Sequence, residues 1–440
     1  MSKPLPSPAY AWYTVVLLTL VYVVSFIDRY ILGLLVQPIK ADMGLSDTQI
    51  GLLLGPAFAL FYTTMGIPLG WLADRTRRTW IIGVGAALWS VATMACGLAK
   101  NFGQLFVGRI AVGVGEATLS PCALSMIGDS FEPAKRGRPV AFYSAALSLG
   151  AGIAALVGAS VIVWSKSVDN LSVPLVGTVA PWQFAFLAVG VVGLPLAALL
   201  FTLREPARQE RVGLRADGQA AGLREAFAYM RQHQGAYLGF VPLVCVMTTV
   251  AYSQGWLPAM FERTWGWPPE RYALYSGIAM LACGPLTVNL SGWWSDRLSA
   301  GGLKDAPVRI LLVGSAILIP TGCIGPLLPD AWAAFVMLTV NLVGIAMVSA
   351  VAPTALLNIT PGEIRGQVIA VYFLLISLTG LLLGPMTVGF LNDWVMGEAG
   401  ARYSVALVPV LYGVPVFLVT RQFLGKYRER VQEVIAARTG

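Results

Sequence analysis

Charged side chains are scarce in this sequence, histidine is almost absent, and cysteine is sparse. Charged residues make up 12% of the 440 residues, against roughly 25% in soluble proteins, and hydrophobic residues make up 57%. None of the five cysteines lies in a Cys-x-x-Cys pair, which argues against disulfides and against a zinc site. The one histidine, His233, falls in a polar stretch where we expect a solvated loop. These absences favour a polytopic membrane protein that needs no metal or cofactor.

The sequence also lacks the motifs of a membrane enzyme or an ATP-driven pump. It has no Gly-x-Ser-x-Gly elbow, no zinc-binding motif and no nucleotide-binding loop. The run Gly113-Val114-Gly115 lies inside a hydrophobic span, where small residues are typical of close helix packing. We therefore expect no enzymatic activity.

Long hydrophobic runs recur along the whole chain. A membrane-spanning helix needs about 20 apolar residues. Windows of that length predict twelve spans, near 12–33, 48–72, 79–99, 104–128, 138–164, 182–203, 236–261, 271–295, 307–327, 331–357, 366–392 and 403–424. The predicted fold class is an all-α membrane protein with twelve transmembrane helices in two parallel six-helix halves.

Positive charge is distributed unevenly between the loops. Of the 30 Lys and Arg residues, 22 fall on the side of the two termini and two, Arg29 and Arg109, fall inside spans. The remaining six fall on the other side: Lys40, Lys100, Lys166, Arg263, Arg271 and Arg402. This bias predicts a plasma (inner) membrane protein with both termini in the cytoplasm. The net charge of +8 therefore reports topology and not a nucleic-acid surface.

The chain repeats itself across its middle. The run GWLADR at Gly70–Arg75 follows the second span, and GWWSDR at Gly292–Arg297 follows the eighth. Because both runs fall in predicted cytoplasmic loops, the two halves have the same orientation, as in transporters with a site between parallel repeats. We assign 1–203 to the N-terminal half, 204–235 to a cytoplasmic linker, 236–425 to the C-terminal half and 426–440 to a cytoplasmic tail.

The linker contains a short amphipathic pattern. Its apolar residues recur at helical spacing, at Leu223, Ala226, Phe227 and Met230. This pattern predicts a short helix on the cytoplasmic membrane surface. A simple tether with some helicity is an equally good interpretation.

Two resemblances follow from these motifs. The loop motif Gly70-x-x-x-Asp74-Arg75, its repeat, the twelve spans and the long central loop resemble the major facilitator superfamily. More narrowly, Phe26-Ile27-Asp28-Arg29-Tyr30, Gly108-Arg109 through Glu116-Ala117 and Ile127-Gly128-Asp129-Ser130-Phe131 resemble the spinster family. That resemblance implies transport of lysophospholipids or sphingoid lipids. An Asp-Arg pair in the first span also occurs in organic-anion and sugar-acid members of the superfamily.

Four charges fall inside the apolar spans, all in the first half: Asp28, Arg29, Arg109 and Glu116. Each costs roughly 2.5–3.5 kcal/mol at mid-membrane, so a polar pathway is the default explanation. Asp28 and Arg109 should sit at similar depth, and Glu116 lies about 10.5 Å further along the helix on the same face. We therefore expect Asp28 and Glu116 to compete for Arg109, with Asp28 the partner on the outer side.

These groups suggest proton coupling through Glu116, Asp28 and Arg109. A nearby arginine favours the charged carboxylate, whereas an apolar surrounding favours the protonated form. A conformational change that alters the pairing would load or release a proton. The alternative is a static ion network that only orders the half-bundle.

Further residues are candidates for substrate contact. Arg29 is about 100° around the helix from Asp28, so it either snorkels or binds an anionic substrate head. The predicted substrate-binding set is Arg29, Tyr30, Tyr252, Trp256 and Asn341. A wall of charge facing an aromatic, mostly uncharged wall suits an amphipathic substrate, although such residues also serve packing.

A cytoplasmic gate is implied by the superfamily resemblance. Asp74 would dock against the start of span 11 near Gly366, and Asp296 would mirror it near Gly137. A carboxylate is favoured at a helix N-terminus. The full predicted gate comprises Asp74, Arg75, Arg78, Arg136, Asp296, Arg297 and Arg365.

The resulting functional prediction is an alternating-access secondary transporter of a lysophospholipid or sphingoid-like amphiphile, coupled to protons. A transporter of small organic or sugar-acid anions, with Arg29 and Arg109 as anion contacts, is the alternative. A channel is disfavoured because the second half lacks a continuous polar lining, whereas a non-transporting sensor stays open. Expected partners are the substrate, protons and membrane lipids, with no nucleic acid, and the chain is expected to act as a monomer.

Overall fold

The computed structural model describes residues 5–132, 135, 137–167, 172–173, 177–207, 223–361 and 364–439. The chain divides into two compact units. The first comprises Met1–Glu210, Gly255–Leu281 and Asn392–Glu398, and the second comprises Arg211–Gln254, Ala282–Leu391 and Ala399–Gly440. The predicted boundary at 236 therefore falls inside the second unit, and part of the C-terminal sequence half packs within the first unit.

In its described residues, the first sequence half consists of nine helices and one short hairpin. Its helices are α1 (Pro8–Leu34), α2 (Val36–Met43), α3 (Asp47–Leu54), α4 (Pro56–Arg75), α5 (Arg78–Gly97), α6 (Phe102–Glu116), α7 (Leu119–Ser130), α8 (Gly137–Ser167) and α9 (Pro181–Phe201). The hairpin consists of β1 (Ser172–Val173) and β2 (Gly177–Thr178), paired antiparallel with Ser172 opposite Thr178.

The second sequence half is helical throughout its described part. Its α-helices are α10 (Leu223–Gln232), α11 (Gln234–Leu238), α12 (Val241–Ser253), α13 (Leu257–Trp265), α14 (Pro269–Ala300), α15 (Ala306–Ile324), α16 (Ala331–Ile359), α17 (Arg365–Leu391), α18 (Ala401–Val408) and α19 (Val414–Thr439). Single 3-10 turns occur at Gln254–Trp256, Gly325–Leu327 and Glu398–Gly400, and π-helical turns at Asn392–Met396 and Pro409–Gly413.

Side chains cap the starts of α3, α6 and α16. Ser46 accepts a hydrogen bond from the Gln49 N–H at the start of α3, and the Gln49 side chain accepts one from the Ser46 N–H in return. Asn101 accepts from the Gln104 N–H at the start of α6, and Asp330 accepts from the Ala333 N–H at the start of α16. These contacts satisfy backbone N–H groups that have no partner within the helix.

Twelve helical stretches of the described residues are long and apolar enough to cross a membrane. They are Pro8–Leu34, Asp47–Gly66, Arg78–Gly97, Phe102–Ser130, Arg138–Trp164, Pro181–Phe201, Gln234–Trp265, Pro269–Ala300, Ala306–Leu327, Ala331–Ile359, Gln367–Met396 and Glu398–Ala436. Each corresponds to one of the spans predicted from sequence, so the predicted all-α membrane fold is confirmed.

The predicted tail is a continuation of the last helix. α19 runs to Thr439, and Tyr427, Val431 and Val434 are buried along it. The Tyr427 hydroxyl donates to the backbone carbonyl of Ala355 at 3.0 Å. The tail is therefore part of the second unit's core and not a free extension.

The predicted linker helix forms as α10. It packs against α17 through the buried Ala226, and Phe227 is exposed. The Tyr229 hydroxyl donates to the Ile359 carbonyl at 2.9 Å and also accepts from Arg430. The helix is thus attached to the second unit by hydrogen bonds, and its contact with a membrane surface stays a prediction. Residues 208–222 of the predicted linker lie outside the described residues.

Candidate functional site

Arg29 of α1 forms an ion pair with Glu116 at the end of α6. Arg29 Nε donates to Glu116 Oε2 at 2.6 Å, and Arg29 Nη2 lies 2.5 Å from the same oxygen. The Glu116 side chain is fully buried and that of Arg29 is 16% exposed. The pair therefore has one end sealed from solvent and one end that solvent can reach.

Aromatic rings surround the Arg29 guanidinium. Its central carbon lies 4.7 Å from the ring centroids of both Phe58 and Tyr62 on α4, and 5.5 Å from that of Phe26. Phe58 and Tyr62 stack on one another with centroids 5.1 Å apart. A cation over an aromatic face is attracted by the ring quadrupole, most strongly when both groups are desolvated. The rings therefore hold the guanidinium in place without neutralising its charge.

Asp28 and Arg109 are also buried, at 1% and 2% exposure. The Arg109 guanidinium lies 5.4 Å from the Phe58 ring centroid. Within the described part of the chain, Asp28 Oδ1, Arg109 Nε and Glu116 Oε1 are buried without a hydrogen-bond partner. Buried polar groups are nearly always satisfied, so these three atoms distinguish the cluster from ordinary helix packing. We call Asp28, Arg29, Phe58, Tyr62, Arg109 and Glu116 the Arg29 cluster.

The four charged residues predicted from sequence come together here. The ion pair that forms is Arg29–Glu116, where a pair with Arg109 was expected. Sequence depth placed Arg109 opposite Asp28, whereas the structure gives Glu116 to Arg29 and places Arg109 over Phe58. Arg29 was expected either to snorkel or to bind a substrate head, and its ion pair makes it the direct partner of the proposed proton-coupling carboxylate. Phe58 and Tyr62 were missed because aromatic residues in a span are ordinarily packing residues.

Two further predicted substrate residues, Tyr30 and Trp256, lie in the first unit. The Tyr30 hydroxyl is 3.3 Å from the Ser276 hydroxyl. Trp256 is only 1% exposed, and the Arg263 guanidinium lies 5.7 Å from its ring centroid. Both side chains have protein partners in this arrangement of the unit.

The other two lie in the second unit. Asn341 is fully buried, donates to the Leu318 carbonyl at 2.6 Å and accepts from Gln254 at 2.8 Å. Tyr252 is partly exposed. Asn341 thus joins neighbouring helices of the unit, and substrate contact by either residue stays a prediction.

The predicted gate residues divide into three groups. Asp74 and Arg365 lie within helices, but the structure does not describe their side chains. Arg136 lies outside the described residues. Arg75, Asp296 and Arg297 are exposed, and the Arg297 guanidinium lies 5.4 Å from the Trp293 ring centroid. The latch between Asp74 and the start of span 11 stays a prediction.

Arg78 differs from the rest because it is buried, at 1% exposure. Its Nη1 donates to Asp129 at 2.5 Å and to Ser125 at 2.7 Å, and its Nε donates to Glu205 at 2.7 Å. The arginine therefore ties the start of α5 to the end of α7 and to the segment after α9. Its role in this structure is internal to the first unit.

A second charge cluster, centred on Asp47, was not predicted. The Asp47 carboxylate is fully buried and receives Arg263 at 2.5 and 2.8 Å, Lys40 at 2.7 Å and Asn392 at 2.8 Å. Asp393 caps the start of α3, because its carboxylate accepts from the N–H groups of Asp47 at 3.0 Å and Thr48 at 2.6 Å. We call Lys40, Asp47, Arg263, Asn392 and Asp393 the Asp47 cluster.

The Asp47 cluster joins residues near helix ends that are far apart in the sequence. Arg263 lies near the end of α13 and Asn392 follows α17, yet both pack in the first unit with α3. The sequence signal was weak because charges at the ends of spans are ordinary. The described residues contain no group of three or more His, Cys, Asp or Glu side chains arranged to hold a metal ion.

Comparison with known proteins gives a consistent family. The model of the Major Facilitator Superfamily matches residues 18–426. An MFS-type efflux pump of Mycolicibacterium smegmatis is 27% identical over 401 residues, covering 90% of this chain and 87% of the pump. A probable L-galactonate transporter of Escherichia coli is 30% identical over 302 residues, covering 65% of this chain and 61% of that protein.

A solved structure matches almost the whole fold. It is that of a bacterial homologue of the human lysosomal transporter Spinster, in an inward-facing and unoccupied conformation. The two chains superpose with a TM-score of 0.79 and 25% sequence identity, covering 98% of this chain and 99% of the other. The resemblance to the spinster family inferred from the first-half motifs is confirmed at the level of the fold and of whole-chain similarity.

Proposed function

Because the chain belongs to the Major Facilitator Superfamily and is a secondary transporter, we propose that it moves a lysophospholipid or sphingoid-like lipid with an anionic headgroup. Movement is by alternating access and is coupled to protons. We further propose that it acts as a monomer in the plasma (inner) membrane, with both termini in the cytoplasm.

The observation that carries this proposal is the ion pair between Arg29 and Glu116. The arginine is reachable and the glutamate is sealed. An anionic headgroup that approaches Arg29 competes with Glu116 for the same guanidinium. Arginine suits this role because it stays charged and presents a rigid fork that matches carboxylate and phosphate oxygens.

Displacement of Glu116 from Arg29 couples the substrate to a proton. Once its arginine is occupied by the headgroup, the Glu116 carboxylate is left buried without a counter-charge, and burial disfavours the charged form. Glu116 then takes up one proton, so the site binds one proton for each anionic group that replaces the carboxylate. Asp28 and Arg109, buried beside it, are the second carboxylate and the fixed positive charge of the same mechanism.

The aromatic residues support an amphiphilic substrate. Phe26 and Tyr62, which are both partly exposed, present apolar faces beside the one charged group that a headgroup reaches. A headgroup on Arg29 with an acyl chain beside these rings satisfies both halves of a lysolipid. Tyr30, Tyr252, Trp256 and Asn341 are retained as further candidate contacts.

A sugar-acid or other small organic anion is the second candidate. The two arginines of the Arg29 cluster suit a carboxylate, and the E. coli relative is named as a probable L-galactonate transporter. Such a substrate uses Arg29 in the same way but has no need of the aromatic faces.

Alternating access requires gates, and we assign the outer gate to the Asp47 cluster. Its five side chains tie the start of α3 to the end of α13 and to the turn Asn392–Met396, all within the first unit. These contacts must separate before the outer side opens. The inner gate is assigned to Asp74, Asp296 and the basic residues predicted around them.

Reconstituted transport tests this proposal. The purified chain is placed in liposomes, and a fluorescent lysophospholipid is added outside with or without an inward pH gradient. Albumin extraction removes label from the outer leaflet, so retained label reports transport. The proposal expects retention that rises with the gradient and that excess galactonate does not reduce. If the vesicles retain no more lipid label than empty liposomes but accumulate labelled galactonate, the substrate is the sugar acid and not the lipid.

A further inference from the structure

The ring of Phe58 lies beneath two cations at once. The guanidinium carbons of Arg29 and Arg109 lie 4.7 and 5.4 Å from its centroid, and the side chain is 1% exposed. Two like charges close together in a region of low dielectric repel strongly. A shared ring offsets part of that repulsion because its negative face attracts both cations.

The backbone fixes the position of this ring. The helix breaks at Gly55, α4 restarts at Pro56, and Phe58 lies in its first turn. On the other side, α6 approaches so closely at Gly113 that an added Cβ would lie 2.6 Å from the Phe58 carbonyl oxygen. Gly113 is therefore what lets α6 pack against the backbone of α4 at Phe58.

The two arginines beside this ring have different partners. Tyr62 stacks on Phe58 and lies 4.7 Å from Arg29, so Arg29 has two rings on α4. Glu116 pairs with Arg29, whereas Arg109 Nε is buried without a hydrogen-bond partner among the described residues. Arg29 is thus the arginine that both the two α4 rings and Glu116 hold.

We propose that Phe58 is a positioning residue for proton coupling: its ring holds Arg29 against Glu116. This inference rests on the proposed function, because it acts through the Arg29–Glu116 pair. Loss of the ring face loosens Arg29 and leaves the charged form of Glu116 less stabilised. The pH profile of transport then moves to higher pH.

Several titratable or charged groups of this region contribute to any pH profile. Asp28 and Arg29 on α1 and Arg109 on α6 interact electrostatically with Glu116. Cys96 on α5 interacts with Asp28 and Arg109, and Tyr143 on α8 interacts with Tyr62 and Arg29. None of them is changed when Phe58 is replaced, so a shift reports the ring.

The first test compares Phe58→Leu with Phe58→Tyr and a matched control. Phe186→Leu makes the same change at an equally buried phenylalanine of α9, whose ring packs edge-on against Trp182. Gradient-driven uptake is measured from pH 5 to 9 in proteoliposomes. We expect Phe58→Leu to shift the midpoint upward by roughly 0.5–1.5 pH units, since a cation–π contact contributes about 0.5–2 kcal/mol. Phe58→Tyr and Phe186→Leu should match the native protein.

A second test removes the concern that leucine disturbs folding. Phe58 is replaced by mono-, di- and trifluorophenylalanine, which keep the shape of the ring and weaken its negative face in steps. The midpoint should rise with each added fluorine, and a flat series overturns the role of Phe58. If the native protein shows no gradient dependence at all, the proposed function fails instead, which the first measurement reveals before any variant is compared.

Discussion

Arg263 donates from both terminal nitrogens to the buried carboxylate of Asp47, at 2.5 and 2.8 Å. This bidentate pair joins the end of α13 to the start of α3, and Lys40 and Asn392 complete the coordination of the carboxylate. Paired charges of this kind are the strong class of hydrogen bond. Asp47 therefore holds two cationic side chains and one amide side chain on a single buried carboxylate.

Replacement of Asp47 by Asn is expected to favour the outward-open population. The change leaves Arg263 and Lys40 without their shared counter-charge, and breaking a buried pair costs about 3–5 kcal/mol. Spin labels at positions 100 and 268, both in the first unit, measure the distance between these two positions on the outer side. The Asp47→Asn protein should gain a longer distance that Asp330→Asn, which alters only the cap of α16, does not. Identical distance distributions in the two variants would remove Asp47 from the gate.

Replacement of Arg29 by Lys is expected to weaken substrate affinity by at least about 10-fold while retaining some gradient-driven uptake. A lysine keeps the charge but lacks the planar fork that meets Glu116 and a headgroup. Arg29→Ala should abolish uptake altogether. The measurement is concentration-dependent uptake in proteoliposomes, with Arg271→Lys as the control because Arg271 is an exposed arginine stacked over Trp267. Native affinity in Arg29→Lys would argue against direct headgroup contact.

Removal of the Arg78 side chain is expected to destabilise the first unit. Arg78→Ala strands the carboxylates of Asp129 and Glu205, at a cost of about 3–5 kcal/mol. Thermal unfolding in detergent measures the loss, and the exposed neighbour Arg77 supplies the control variant Arg77→Ala. Equal melting temperatures for the two variants would show that the buried network contributes little stability.

Asp305 should make the second unit sensitive to acid. Burial acts to raise the pKa of this carboxyl, but hydrogen bonds from Arg428 and Arg309 and their charges outweigh it, so its pKa lies below the ordinary value of 3.8. Because the folded-state pKa is the lower one, the stabilisation is present above about pH 4. It is lost as the pH falls through the folded-state pKa.

Thermal unfolding at pH 7 and at pH 3 tests the contribution of Asp305. At pH 7, Asp305→Asn should lower stability by roughly 1–3 kcal/mol, the range for hydrogen bonds to a charged group. The variant should then lose less stability than the native protein on acidification. Glu429→Gln, an exposed change next to Arg428, serves as the control. A drop on acidification as large as that of the native protein would contradict the assignment.

The fold was predictable because its signals are local and strong. Runs of about 20 apolar residues predicted twelve spans, which the structure confirms. The repeated motifs Gly70–Arg75 and Gly292–Arg297 predicted two halves. Boundaries were less certain. α19 continues well beyond the predicted end of the last span because Tyr427, Val431 and Val434 pack on the second unit.

The charged residues of the site were predictable, but their partners were not. Depth in the membrane follows from position in a span, and it grouped Asp28 with Arg109. The rotation of α1 and the break between α3 and α4, which brings Phe58 and Tyr62 beside Arg29, depend on packing between helices. Likewise, nothing in the sequence relates Asp47 to Arg263 or Asn392, because they lie more than 200 residues apart.

The most direct test of the account compares the native protein with Glu116→Gln in the reconstituted transport assay, with and without an inward pH gradient. Glu132→Gln, an exposed glutamate paired with Lys135, is the matched control. The account predicts that Glu116→Gln loses the stimulation by the gradient but still exchanges substrate without a gradient, because Arg29 remains available to the headgroup. Stimulation as large as that of the native protein would contradict proton coupling through Glu116.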